Sequence, residues 1–373
     1  PALDGKSRDA KVSTKWSTTE NIAWVVDVPG RGHSSPAVCG DRVFLTSADE
    51  QAGTQSVLAF DRKTGKDLWS TVVQREALPK KHPKNTHASA TPACDGERVY
   101  VIFVSGNEVR ASALNLDGSI AWQKPVGAFK SEHGYGASPI LYKSTVIVDG
   151  DSLEGSFLAA VDRKSGDVVW KIERPNIGRH GNYGTPTIAR VAGKDQLLLN
   201  GMSETTSYDP ATGKQFWRVD GPAEVTACTI AVSDRLVFSS GGFPEKELLA
   251  IRGNDGTVLW RTKQGVTYVP SPLYHEGRLY VINDGGIATC FDAMSGKQIW
   301  QERLGGAFSS SPVLAGGKIY IANEAGKMYV LKAGPKFEVL ASNDLADGGF
   351  ASPAIAGGQI LIRTNTKLYC VGK

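Results

Sequence analysis

The chain is built on a repeat. A Ser-Pro or Thr-Pro pair is followed about thirty residues later by a turn closing on tryptophan or a substitute. The unit recurs seven times before an eighth copy ends at the C-terminus. The anchors are Pro36, Pro92, Pro139, Pro186, Thr229, Pro272, Pro312 and Pro353, and the closing positions are Trp69, Trp122, Trp170, Trp217, Trp260, Trp300 and Leu340. Steps of 40 to 56 residues between anchors fall in the range of propeller blades, where each unit hides its apolar faces only against its neighbours.

The clearest copy runs SPAVCGDRVFL from Ser35 and LAFDRKTGKDLW to Trp69. Period-two alternation in four short runs, with no helical stretch, predicts an all-β chain. Asp61, Asp162, Asp209 and Asp292 open the last turn, where a carboxylate accepts backbone N–H groups, and glycines such as Gly65 supply the positive φ that turn requires. The proline is expected in the innermost strand, whose channel-facing edge can dispense with a donor. The eighth copy lacks a fourth strand, whereas residues 21–28 carry Trp24 twelve residues before Pro36, the offset that separates Trp260 from Pro272. The reading is a single eight-bladed β-propeller of four-stranded blades over residues 21–373. Residues 21–28 close the last blade, and residues 1–20 form an N-terminal arm. The seventh copy has Lys332, Lys336 and Leu340 in place of Asp, Gly and Trp, so that blade is expected to be the least regular.

The LxAxDxxTGKxxW pattern resembles the PQQ-like (quinoprotein dehydrogenase type) propeller repeat, and in size and blade number its BamB-like eight-bladed members, from Asn21 to Lys373. The resemblance implies a non-catalytic binding scaffold of the cell envelope, periplasmic or otherwise exported, associated with the outer membrane and free of quinone. The alternative is a quinone- or metal-dependent oxidoreductase working at the channel mouth. Quinoprotein alcohol dehydrogenases add an adjacent cysteine pair, a tryptophan floor, an acidic base and calcium ligands to this repeat. Here no two cysteines are adjacent, and every tryptophan except Trp16 takes a closing position or, as Trp24 does, the matching N-terminal one. No catalytic residue is carried over, and no cofactor is expected; PQQ or a divalent metal belongs to the alternative alone.

A net charge of +4 with scattered Lys and Arg gives no nucleic-acid footprint. Lys80, Lys81 and Lys84 form a local basic cluster that reads as a solvated loop. Five cysteines without metal-site spacing read as buried free thiols, although Cys39 and Cys94 fall at similar places in two inner strands. No window reaches transmembrane length. The chain starts at Pro1, and a removed signal or lipoprotein leader, with a lipid anchor on the lost segment, fits the resemblance.

In this strand order, the connections into each blade share one face with the hairpins between second and third strands. From closing residue to next anchor they run 12, 23, 17, 16, 12, 12, 12 and 13 residues, and the three long ones lead into blades two, three and four. His33, His87, His133 and His180 lie three to six residues before consecutive anchors. Together with Tyr135, Asn182, Tyr183, Glu224 and Tyr268 they are the candidate ligand- or partner-binding residues of the channel mouth. Three readings stay open: a protein or small-molecule site of mixed donors and flat faces; a metal site using His33, His87, His133 and His180, with Glu224; or loop histidines that only satisfy their own backbone. Asp149, Asp151 and Glu154 look like the start of a calcium loop but follow a strand, where a polar hairpin is the default.

Overall fold

The computed structural model describes residues 4–153, 155–175 and 181–372. Thirty-two strands form eight separate four-stranded antiparallel sheets, the blades of one propeller. Blades 1 to 7 occupy residues 37–75, 93–128, 140–173, 187–220, 231–262, 273–303 and 313–344 in sequence order. Blade 8 takes three strands from residues 354–371 and its outer strand from Ile22–Asp27. Trp24 stands opposite Cys370 and Asp27 opposite Lys367, so the N-terminal strand closes the ring as the Trp24 offset predicts. Alternating side chains of the second and third strands form apolar layers between blades; one holds Phe44, Val57 and Ala59 of blade 1 with Val99, Val101 and Phe103 of blade 2.

The repeat residues turn out to be joints between blades. Each anchor proline stands one residue before its inner strand, not within it, and at seven of the eight blade boundaries the hydroxyl residue at this place is bonded to its counterpart in the next blade. The Ser35 amide donates to Thr91 Oγ1 at 2.9 Å, Thr91 to Ser138 Oγ at 2.9 Å and Ser138 to Thr185 Oγ1 at 3.0 Å. Thr229 donates to Ser271 Oγ at 2.9 Å, Ser271 to Ser311 at 3.0 Å, Ser311 to Ser352 at 2.8 Å and Ser352 to Ser35 at 3.1 Å. A following proline keeps its predecessor extended, which holds each amide in line with the next hydroxyl. Blade 5 corrects the anchor alignment: Thr229 fills the hydroxyl position and Ile230 that of the proline, because the inner strand starts at Ala231.

A second joint runs round the outside. Trp24, Trp69 and Trp122 donate their indole N–H to Arg62, Leu116 and Arg163 carbonyls in the next blade's last turn, at 2.8 to 2.9 Å. Trp170, Trp217, Trp260 and Trp300 repeat the contact on Pro210, Gly253, Ala293 and Gly334. The turn glycine is thereby doubly required. At Gly65, φ is +74° and an added Cβ would lie 2.6 Å from the Trp24 ring.

Blade 7 does not match its expected irregularity. Its strands run 3, 5, 6 and 6 residues, as in blade 6. The N-terminal segment supplies what Leu340 lacks: Trp16, 4% exposed, and Val12 enter the layer between blades 7 and 8, against Tyr320, Met328, Ile360 and Tyr369 with Leu340 beside them. Asn343 accepts the Trp16 amide at 2.9 Å and donates to the Thr14 carbonyl, while farther out the Ser7 amide donates to the Leu314 carbonyl and the Leu314 amide to the Gly5 carbonyl.

The free-thiol reading also needs correction. Cys39 and Cys94 form a disulfide between the inner strands of blades 1 and 2, with Cα atoms 6.2 Å apart. Their shared place in adjacent blades is the signal for it. Cys228, Cys290 and Cys370 are free and buried.

Candidate functional site

The mouth face is built by the connections into each blade and by the hairpins between second and third strands. Blades 1 and 2 stand taller there, with second to fourth strands of 8, 8 and 9 residues. The longest connection, residues 76–92, does not hang free. Gln55 Nε2 donates to the His87 carbonyl at 2.6 Å, and Thr46 Oγ1 lies in reach of the Ala88 and Ala90 carbonyls. Lys81 pairs with Glu50 at 3.2 Å. Asn85 Nδ2 donates to the carbonyls of His133 and Tyr135. From the same loop Lys84 reaches Glu324, on the blade 7 hairpin, at 3.0 Å and lies 5.9 Å over the Phe350 ring of blade 8. One loop therefore joins the sides of the mouth contributed by blades 3 and 7.

Five of the predicted residues fall into three groups around this loop, and Asn182, Glu224 and Tyr268 stand apart from them. His33 stacks on Phe350, with centroids 4.5 Å apart. His87 and Tyr135 line a crevice of about 10 Å³, room for about one water, and the Tyr135 hydroxyl donates to the Asp149 carbonyl at 2.8 Å. His133 stacks on His82 at 5.4 Å and meets the Tyr183 ring edge-on at 6.0 Å. Asn182 is buried, donating to the Asn200 carbonyl and accepting from Thr226. The Glu224 carbonyl accepts the Met202 amide. Tyr268 is fixed by its amide on Asp284 at 2.9 Å; burial, with Tyr183 and Asp284 nearby, pushes its phenol up to about 12. His180 lies outside the described residues, as does Glu154. Among the described residues no three His, Cys, Asp or Glu side chains gather as metal ligands.

His33 carries a testable consequence. Burial, and then the charges of Arg363, Arg31 and Lys81, lower it from 6.5 to about 4. A depressed folded-state value favours the neutral ring, so its contribution is complete above pH 6.5 and is lost as pH falls toward 4. His33→Phe keeps the stack on Phe350 and removes the titration. Its melting temperature is expected to fall less than the wild type's between pH 6.5 and 4, and parallel curves would refute the assignment.

Two buried charge sites differ from the sequence expectation: Asp149 and Asp151, expected in a polar hairpin, are buried, and neither Arg174 nor Arg363 is among the predicted residues. In the first, Arg174 lies fully buried between blades 3 and 4, donating to both Asp151 oxygens at 2.8 and 3.1 Å and to Thr206 and Tyr208, with Glu204 at 3.8 Å. Asp149 adjoins this cluster with Oδ1 buried and unbonded. Burial and then Asp151 hold it well above the usual carboxylate range, against the pull of Arg174. The second is Arg363, the last residue of the second strand of blade 8 (Gln359–Arg363). A signal existed for both: the fifth place of the second strand is polar at Thr46, Asp149 and Arg363.

The mouth does not fit a quinone held as the resemblance describes. The seven closing indoles are committed to blade joints, Trp16 lies between blades 7 and 8, and the half-cystines sit where inner strands end, away from the mouth. Lys84 and Glu324 bridge the space above.

A profile of the family described as outer membrane protein assembly factor BamB matches residues 7–131, 81–194 and 201–371. Outer membrane protein assembly factor BamB of Burkholderia pseudomallei (strain K96243) is 29% identical over 280 residues, covering 71% of this chain and 65% of that protein. Subunit 1 of the cytochrome c methanol dehydrogenase of Methylorubrum extorquens is 26% identical over 151 residues, 36% of this chain and 23% of that one. The chain thus spans less than two thirds of the length of these relatives. Among solved structures, BamB from Moraxella catarrhalis superposes with a TM-score of 0.68 at 14% identity, covering 94% of this chain and 97% of that one. A europium-containing methanol dehydrogenase gives 0.73 at 12%, covering 99% and 96%. At these identities the superpositions establish shared fold. The profile extends over nearly the whole repeat array, and on that ground the chain belongs to the BamB family of eight-bladed PQQ-type propellers.

Proposed function

We propose that this protein is a non-catalytic scaffold of the cell envelope that binds a protein partner through its mouth face. The observation that carries the reading is the roofed mouth. Loop 76–92 is tied to blades 1, 3 and 7, and its side chains engage neighbouring histidines and aromatics. The face then offers a broad polar and aromatic platform beside the raised blades 1 and 2, the composition favoured at protein interfaces. The assembly-factor description of its relatives agrees with this use. The Cys39–Cys94 disulfide supports an oxidising compartment, as export to the periplasm requires. Among the described residues no helix is long and apolar enough to cross a membrane.

Photo-crosslinking in the native cell tests the reading. A crosslinker at Lys80 or Glu132 on the mouth face is expected to yield a discrete protein adduct, and one at Lys63 or Asp255 on the opposite face is not. Adducts of equal yield from both faces, or a bound-quinone absorbance with substrate-dependent dye reduction in the purified protein, would overturn it.

A further inference from the structure

Arg363 is a buried cation without an anion. It is 3% exposed, and no carboxylate lies within ion-pair distance among the described residues. All its hydrogen bonds leave from one nitrogen: Nη1 donates to Ser34 Oγ at 2.6 Å, to the Thr46 carbonyl at 2.9 Å and to the Ser34 carbonyl at 3.3 Å. Nε is buried and unbonded, and among the described residues no acceptor meets Nη2. The unused edge of the guanidinium is the side formed by Nε and Nη2, whose parallel N–H groups match the two oxygens of a carboxylate.

The surroundings favour negative charge. Arg31 and Lys81 lie close enough to act, together with Arg363, on the His33 ring, which itself stays neutral. Lys84 lies over Phe350, which stacks on His33. Of the acids on this side of the mouth, Glu50 and Glu324 already face Lys81 and Lys84. Backbone packing makes way for the guanidinium: a Cβ on Gly32 would fall 2.5 Å from Nη2. An unpaired buried charge is costly, and burial alone drives the Arg363 value down to about 9.

We propose that Arg363 is a carboxylate-binding site at the junction of blades 8 and 1, covered by the His33–Phe350 pair. The proposal deepens the scaffold reading by naming the chemistry its mouth recognises, a carboxylate from a free small acid or from a partner's chain.

Thermal melting of the whole protein at pH 7.5 provides the test, with sodium acetate or formate compared against sodium chloride at matched ionic strength. Saturating carboxylate is expected to raise the wild-type midpoint by about 3 °C over chloride. Arg363→Met should lose that response, and Arg363→Lys, which keeps the charge without the fork, should lose most of it. Equal stabilisation by chloride and acetate, or a full carboxylate response in Arg363→Met, overturns the site. Should Arg363→Met fail to fold, the wild-type comparison and Arg363→Lys decide alone. A tripeptide with a free C-terminus that binds more tightly than acetate, and loses binding when amidated, assigns the carboxylate to a partner's chain. Equal affinity for acetate assigns it to a free acid. Crosslinked adducts at Lys80 without a carboxylate response would refute Arg363 alone, whereas the reverse pattern would refute the docking face.

Discussion

Removal of residues 1–28 is expected to lower the melting temperature by roughly 10 °C or more, or to leave a chain that does not stay soluble. The deletion takes away the outer strand of blade 8, with Trp24 and its bond to the Arg62 carbonyl at 2.9 Å, and the Trp16 and Val12 contacts between blades 7 and 8. Loss of a buried tryptophan side chain costs about 3–5 kcal/mol. Two of them, with a strand's worth of hydrogen bonds, approach the about 5–15 kcal/mol that holds a folded protein together. The third strand of blade 8 would also be left as a free edge open to pairing with other chains. Trp24→Ala and Trp16→Ala should each give a partial loss by circular dichroism. A truncated protein that melts with the full chain would show that neither residue closes the ring.

The second large effect is expected at the buried charges of blades 3 and 4, and it has opposite signs at neighbouring residues. Arg174→Met leaves Asp151 buried without its partner and should cost about 3–5 kcal/mol. Asp149→Asn should instead stabilise. Its carboxyl is held well above its ordinary value of 3.8, so its contribution is fully present below that pH and is lost as pH rises through the folded-state value. The advantage of Asp149→Asn should therefore be absent in acid and grow toward alkaline pH. The Tyr135 bond survives, because it ends on the Asp149 main-chain carbonyl. Denaturant melts of both variants across pH provide the measurement; an Asp149→Asn protein as damaged as Arg174→Met would show Asp149 to be an ionised member of the cluster.

The ring was legible in the sequence because each blade repeats the same joints, and Trp24 could be placed from its offset alone. What Ser35, Thr91 and Trp69 bond to could not be seen, because their partners lie in the next blade and the repeat displays only one blade at a time. The same blindness hid Trp16, which looks unassigned along the chain but fills the gap left by Leu340. At the mouth, the histidines were visible as departures from the period. Their contacts depend on how loop 76–92 crosses to blades 3 and 7, and loop paths follow no period. The polar fifth position of the second strands, by contrast, was readable at Asp149 and Arg363 and would have led to both buried charges.

The inner bonds between blades all point the same way, each amide donating forward to the hydroxyl of the following blade. Seven of the eight blade boundaries therefore carry the same head-to-tail coupling, and among the described residues the boundary between blades 4 and 5 is the one without it. A circularly permuted chain, cut at another boundary and fused across the present ends, inherits the same couplings. By the same logic a lineage can gain or lose a whole blade without inventing a new way to join it.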